Sequence, residues 1–178
     1  YKNEALIINL DSHLDVRPMT EVPHSGTPFF RMLKEFSKEV SFFEVGIQNH
    51  CNSAAHLAWA HEHLAHVIFQ NELLNPDDLN RLFSKLPPAV LPNNKKLKVF
   101  ISLDIDAFSN SEAPGCSQSW ATGLSLIFCL ELFKHLQKNY DVRGLGIYEV
   151  SPPLDFDHKT SKLAALIMHH FIYGFIKK

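Results

Sequence analysis

Ala5-Leu6-Ile7-Ile8-Asn9-Leu10-Asp11-Ser12-His13-Leu14-Asp15 decides the reading of this chain. An apolar run of strand length is followed at once by a D-x-H-x-D pattern. Its alternation sends the side chains of Asp11, His13 and Asp15 to the same side. A second run, Leu97-Lys98-Val99-Phe100-Ile101-Ser102-Leu103, ends in Asp104-Ile105-Asp106. Runs of this kind read as buried strands of a parallel sheet. In such sheets ligands gather at the carboxyl ends of the strands. Four carboxylates and one imidazole therefore arrive at one sheet edge. That much like charge is costly to bring together and to bury, and a divalent metal removes the cost. Hard oxygen donors with one imidazole suit such an ion, and four carboxylates can hold two. A lone D-x-D is often only the start of a loop; its company with D-x-H-x-D favours the metal.

Outward from these stretches the order is strand, loop, helix, repeated, which implies an α/β fold with helices on both faces of a parallel sheet. Strands are expected near residues 4–10, 41–47, 65–70, 97–103 and 144–150. Thr27-Pro28 opens a helix with Thr27 as N-cap and an apolar face of Phe29, Leu33 and Phe36. Asn52 or Ser53 caps a second helix to about His63, and Asn75-Pro76 starts a third that Pro87-Pro88 stops. Gly123-Leu124 leads into a fourth to about Lys138, with Leu126, Ile127, Leu130 and Phe133 on one side. A last helix begins near Lys159, with Leu163, Leu166, Ile167, His170 and Phe171 as its buried stripe. The irregular stretch from Ser109 to Ala121 is long enough to be functional.

The 178 residues suit one domain with a real core. A formal net charge of −2 offers no basic patch for nucleic acid or an anionic membrane. No run is long and apolar enough to span a membrane, and no leader is evident. Cys51, Cys116 and Cys129 lack metal-ligand spacing and read as free thiols of a reducing cytoplasm. The 11 histidines need sorting. His61-Glu62-His63 superficially resembles a zinc H-E-x-x-H motif but fails, because Ala65 stands where the second His is needed. His56, His61, His63 and His66 are expected on a solvated helix face.

Together the motifs resemble those of the arginase, agmatinase and formimidoylglutamase (ureohydrolase) superfamily. Asp11 to Pro18 resembles its D-x-H-x-D signature, and Ser25-Gly26-Thr27-Pro28-Phe29 its substrate loop. Ser102 to Phe108 with Ala113-Pro114-Gly115 resembles its second signature. Glu149-Val150-Ser151-Pro152 resembles the E-x-N-P stretch on its last strand. The resemblance implies a three-layer αβα domain over 1–178, with five strands and without the amino-terminal strands of that fold. The expected strand order is fifth, fourth, first, second, third.

It also implies roles. Asp11 and Asp104 would bridge two Mn²⁺ ions, His13 and Asp106 would complete one, and Asp15 would serve the other. Asp106 would pass a proton on, Glu149 would grip a cationic amidine, and His24 is a candidate proton shuttle. Ser25, Thr27 and Gln48 would line the substrate pocket. Arg17 suits bidentate capture of a carboxylate, against a purely structural pairing with Glu21. H-x-D-V-R-P followed by S-G-T-P-F most resembles the formimidoylglutamase branch. The implied reaction is hydrolysis of N-formimidoyl-L-glutamate to L-glutamate and formamide in histidine degradation, with a small-molecule substrate and a cytoplasmic homo-oligomer. The rivals are an arginase- or agmatinase-type guanidino hydrolase, a non-catalytic protein of the same fold, and a single-Mg²⁺ phosphoryl-transfer domain. The last lacks a lysine at a strand end.

Overall fold

The computed structural model describes residues 5–19 and 22–176. Glu4, where the first strand was expected to begin, and Glu21, the structural partner considered for Arg17, lie outside them. Five strands form one sheet: β1 (Ala5–Leu10), β2 (Val40–Ile47), β3 (Ala65–Phe69), β4 (Lys98–Asp104) and β5 (Asp141–Tyr148). The spatial order is β3-β2-β1-β4-β5, as the family resemblance implies, and every pairing is parallel. The last strand is shifted: it starts at Asp141 and ends at Tyr148. The chain turns at Glu149, whose φ of 60° ends the extended run.

Among the described residues five α-helices cover the sheet: α1 (Pro28–Phe36), α2 (Ala54–Glu62), α3 (Pro76–Lys85), α4 (Leu126–Asn139) and α5 (Lys159–Ile176). Strand alternation divides the core in two. Leu6, Ile8 and Leu10 of β1, Phe43 and Val45 of β2, and Val99, Ile101 and Leu103 of β4 pack against α3, α4 and α5. On the other face Phe42 and Ile47, with Ile7, meet Leu33 of α1 and Ala60 of α2. On β4 and at the end of β5, Phe100 and Tyr148 stay exposed.

Helix starts follow local chemistry. The Ser53 hydroxyl accepts from His56 N at 3.1 Å and caps α2; the Ser125 hydroxyl accepts from Phe128 N at 3.2 Å and caps α4. Thr27 does not cap α1. Its hydroxyl donates to the His24 carbonyl at 2.8 Å and accepts from His24 N at 3.1 Å, closing the preceding loop on itself.

Helix phase departs from expectation in three places. The buried face of α4 is Phe128, Cys129, Leu132, Phe133 and Leu136, while Ile127 is exposed. The run Leu126-Ile127-Phe128-Cys129-Leu130 is apolar at every position, so periodicity sets no phase. The Ser125 cap and the bond from Leu124 N to the Ala107 carbonyl set it instead. On α5 the buried residues are Thr160, Ala164 and Ile167, whereas Leu166 and His170 are exposed. The small Thr160 and Ala164 permit close approach, and the Thr160 hydroxyl takes the N–H of Gly115 at 2.7 Å. On α1 Phe36 is exposed. The histidine stretch is not one solvated helix face either: His63 stacks on Trp59, and His66 lies on β3 against Phe43.

Candidate active site

β1 and β4 are adjacent, with Leu10 opposite Leu103. Asp11 and Asp104 are thus delivered side by side. Beyond them the two strand ends are stitched together. Ser12 N donates to Asp106 Oδ1 at 3.2 Å, and the Ser12 hydroxyl donates to the Asp106 carbonyl at 2.9 Å. Asp106 N donates to Asp104 Oδ1 at 3.0 Å, tightening the single 3-10 turn after β4. Asn52, expected only as an alternative to Ser53 for the cap of the second helix, pins the other side. Its Nδ2 donates to the carbonyls of Ser12 and Gln48, and its Oδ1 accepts from Leu14 N.

One ligand atom each from Asp11, His13 and Asp106 lies within 4.8 Å of the others. His13 Nδ1 is 3.0 Å from Asp106 Oδ2 and 3.5 Å from Asp11 Oδ1. Asp15 and Asp104 join His13 and Asp106 on the wall of a cavity of about 370 Å³, together with Arg17, Ser25, Gly26, Cys51, Ser117, Gln118, Trp120 and Glu149. A second cavity of about 390 Å³ reaches Asp11, Asp15, Asp104 and Glu149 from the side of His24, Phe29, Phe100 and Tyr148. Asp15 and Glu149 have φ values of 48° and 60°, in the left-handed region that non-glycine residues seldom adopt.

The acids are buried or half-buried and crowd one another. Burial, then the neighbouring charge of Asp11, pushes Asp15 up to about 8 and Asp104 up to about 9. Burial also raises Asp11 to about 6, against the opposing hydrogen bonds of His13. Burial disfavours the His13 imidazolium, yet its hydrogen bonds to Asp106 and Asp11 lift it to about 12. A protonated imidazole thus does part of the neutralising that a divalent cation would do. Hard carboxylates around one imidazole are a donor set that fits Mn²⁺. Behind them Glu44 is fully buried; burial, then the charge of Asp11, holds its carboxyl well above the ordinary range against a hydrogen bond from Asn9.

Not every expected residue reaches a cavity wall of this site. Gln48 does not: its Nε2 donates to the Ser12 hydroxyl and the Thr122 carbonyl, and its Oε1 accepts from the Thr122 hydroxyl. It is scaffold beneath the acids. Thr27 is buried and occupied within its loop. His24 faces the second cavity, and its Nδ1 accepts from Gly26 N at 3.2 Å. Arg17 lies against Gly26, where an added Cβ would stand 2.9 Å from its side chain. Cys51, Ser117, Gln118 and Trp120 line the cavity unforeseen. Only the length of the Ser109–Ala121 loop hinted at the last three.

A sequence profile of the arginase family matches residues 1–174. Formimidoylglutamase of Bacillus subtilis is 33% identical over 175 residues, which are 97% of this chain and 54% of that protein. The crystal structure of the Bacillus subtilis formimidoylglutamase superposes with a TM-score of 0.82 at 32% identity, over 97% of this chain and 53% of that one. The Trypanosoma cruzi formiminoglutamase with Mn²⁺ superposes at 0.81 and 28% identity, over 97% and 57%. The chain spans about half the length of the relatives it matches.

Proposed function

Since the chain belongs to the arginase family, we propose that it carries the metal-binding and substrate-reading edge of a manganese hydrolase that cleaves N-formimidoyl-L-glutamate to L-glutamate and formamide. The observation that carries this reading is the convergence of Asp11, His13, Asp15, Asp104 and Asp106 at one strand edge, beside Arg17 and Glu149. The names of the relatives, and the Mn²⁺ of the Trypanosoma cruzi structure, support the substrate and the ion. Asp11, His13, Asp15, Asp104 and Asp106 would hold the ions. The bound ions would supply Lewis-acid chemistry, making a water acidic enough to serve as nucleophile near neutral pH.

This chain's own residues do the rest. Exposed Glu149, at the mouth of both cavities, pairs its carboxylate with the cationic amidine and orients the carbon to be attacked. Arg17 offers two N–H groups to a substrate carboxylate across the same cavity. Asp106 Oδ2, beside His13, accepts a proton from the attacking water and returns one to the departing amine of glutamate. Ser25 lines both cavities and bounds the substrate between them. The place of this reaction is histidine breakdown in the cytoplasm, performed by a homo-oligomer. The test is turnover by the full-length, Mn²⁺-loaded gene product on N-formimidoyl-L-glutamate, L-arginine and agmatine side by side. Formamide release should exceed urea release. Faster turnover of arginine or agmatine overturns the substrate, and no turnover of any of them overturns the enzyme.

A further inference from the structure

We propose that Asn9 and Glu44 form a buried positioning pair that sets the Asp11 carboxylate for a divalent cation; the proposal rests on the reading of the strand-end acids as a metal site. Asn9 on β1 and Glu44 on β2 are opposite one another in the parallel register. Both are buried, at 1% and 0% exposure. Asn9 Nδ2 donates to Glu44 Oε2 at 2.9 Å and to Asp11 Oδ2 at 3.2 Å. The other oxygen of Asp11, Oδ1, accepts from His13 N at 2.6 Å. Both Asp11 oxygens are therefore held before any ion arrives.

Glu44 decides which way the Asn9 amide faces. A flipped amide would set its Oδ1 against the Asp11 carboxylate, and Glu44 Oε2 accepts from the amide only in the sense that places Nδ2 between the two acids. Glu44 gains little from the fold for this. Its Oε1 is buried with no hydrogen-bond partner among the described residues. A buried polar atom without a partner destabilises the folded state, and an apolar side chain of the same size would avoid that cost. A residue that costs stability while orienting a candidate ligand from behind acts as an outer-layer partner of a metal site. Loss of such partners typically weakens metal binding or activity 10- to 100-fold.

The test is a Mn²⁺ titration of the full-length protein, followed by the paramagnetic resonance of free Mn²⁺ and by calorimetry, alongside melting temperature. Glu44→Met should weaken Mn²⁺ binding about tenfold or more without lowering the melting temperature. Glu44→Gln, which keeps an oxygen acceptor for Asn9, should stay within about threefold of the parent, well inside the range of a lost partner. Should Glu44→Met fail to fold, Asn9→Ala carries the same expected loss. Variants that bind Mn²⁺ like a parent that does bind it overturn the positioning role alone. Equal losses in Glu44→Gln and Glu44→Met overturn the acceptor role. A parent that takes up no Mn²⁺ in the millimolar range overturns the metal reading, and this one with it.

Discussion

Two residues divide the proposed work most sharply. Arg17 is exposed and touches the cavity from outside the acid cluster, so Arg17→Ala should spare the acids. A lost charge-assisted contact is worth roughly 1.5–3 kcal/mol, which predicts KM for N-formimidoyl-L-glutamate higher by about ten- to a hundredfold with kcat little changed. Asp104→Asn should instead abolish turnover and Mn²⁺ binding together. Steady-state kinetics with metal analysis separates the two. The same acids predict a pH dependence of stability. Asp11, Asp15 and Asp104 stand at about 6, 8 and 9 against an ordinary 3.8. Groups raised on folding contribute most below the ordinary value, and that contribution is lost as pH rises through the folded values. His13, raised from 6.5 to about 12, acts in the same sense above 6.5. Burial lowers His66 and His135, so these two oppose the trend near their ordinary value. Metal-free protein should melt at a higher temperature near pH 5 than near pH 8.5, and saturating Mn²⁺, which takes the deprotonated carboxylates, should shrink or reverse the difference. Melting curves in chelator that rise toward alkaline pH would contradict the electrostatic account.

At the scale of elements, strands were more legible than helix faces. β1 and β4 announce themselves because apolar runs stop abruptly at acids, a purely local pattern. Which face of α4 turns inward is not local where five consecutive apolar residues fill every phase. The Ser125 cap settles it, and Ser125→Ala should cost about 1 kcal/mol, read as a lower denaturant midpoint at unchanged slope. Gly115 shows another long-range constraint. A Cβ there would stand 2.6 Å from the backbone of Asp155, whose carboxylate accepts from Thr160 N and Ser161 N at the start of α5. A-P-G reads in sequence as a loop motif; its packing under the last helix becomes visible only once β5 has brought that helix round.

Across the whole molecule the site is assembled from five stretches: the end of β1, the loop before α1, the turn after β2 that carries Cys51, the end of β4 with its long loop, and the turn after β5. The acids could be named from sequence because each set directly follows an apolar strand and the carboxyl-end rule brings both to one edge; Asp11, His13, Asp15 and Asp106 lie beyond the strands, in irregular, bend and 3-10 backbone that strand alternation does not describe. Glu44 could not, since an acid within a strand declares neither its burial nor its partner until Asn9 is beside it. Nor could Cys51, Ser117, Gln118 and Trp120, which reach the cavity through loop folding rather than through any periodic pattern. The most direct test of the central claim is anomalous diffraction at the manganese edge from crystals grown with Mn²⁺. The account predicts density bounded by Asp11, His13, Asp15, Asp104 and Asp106, with both Asp11 and Asp104 as ligands. An empty strand edge at saturating Mn²⁺, or density only elsewhere, would contradict it.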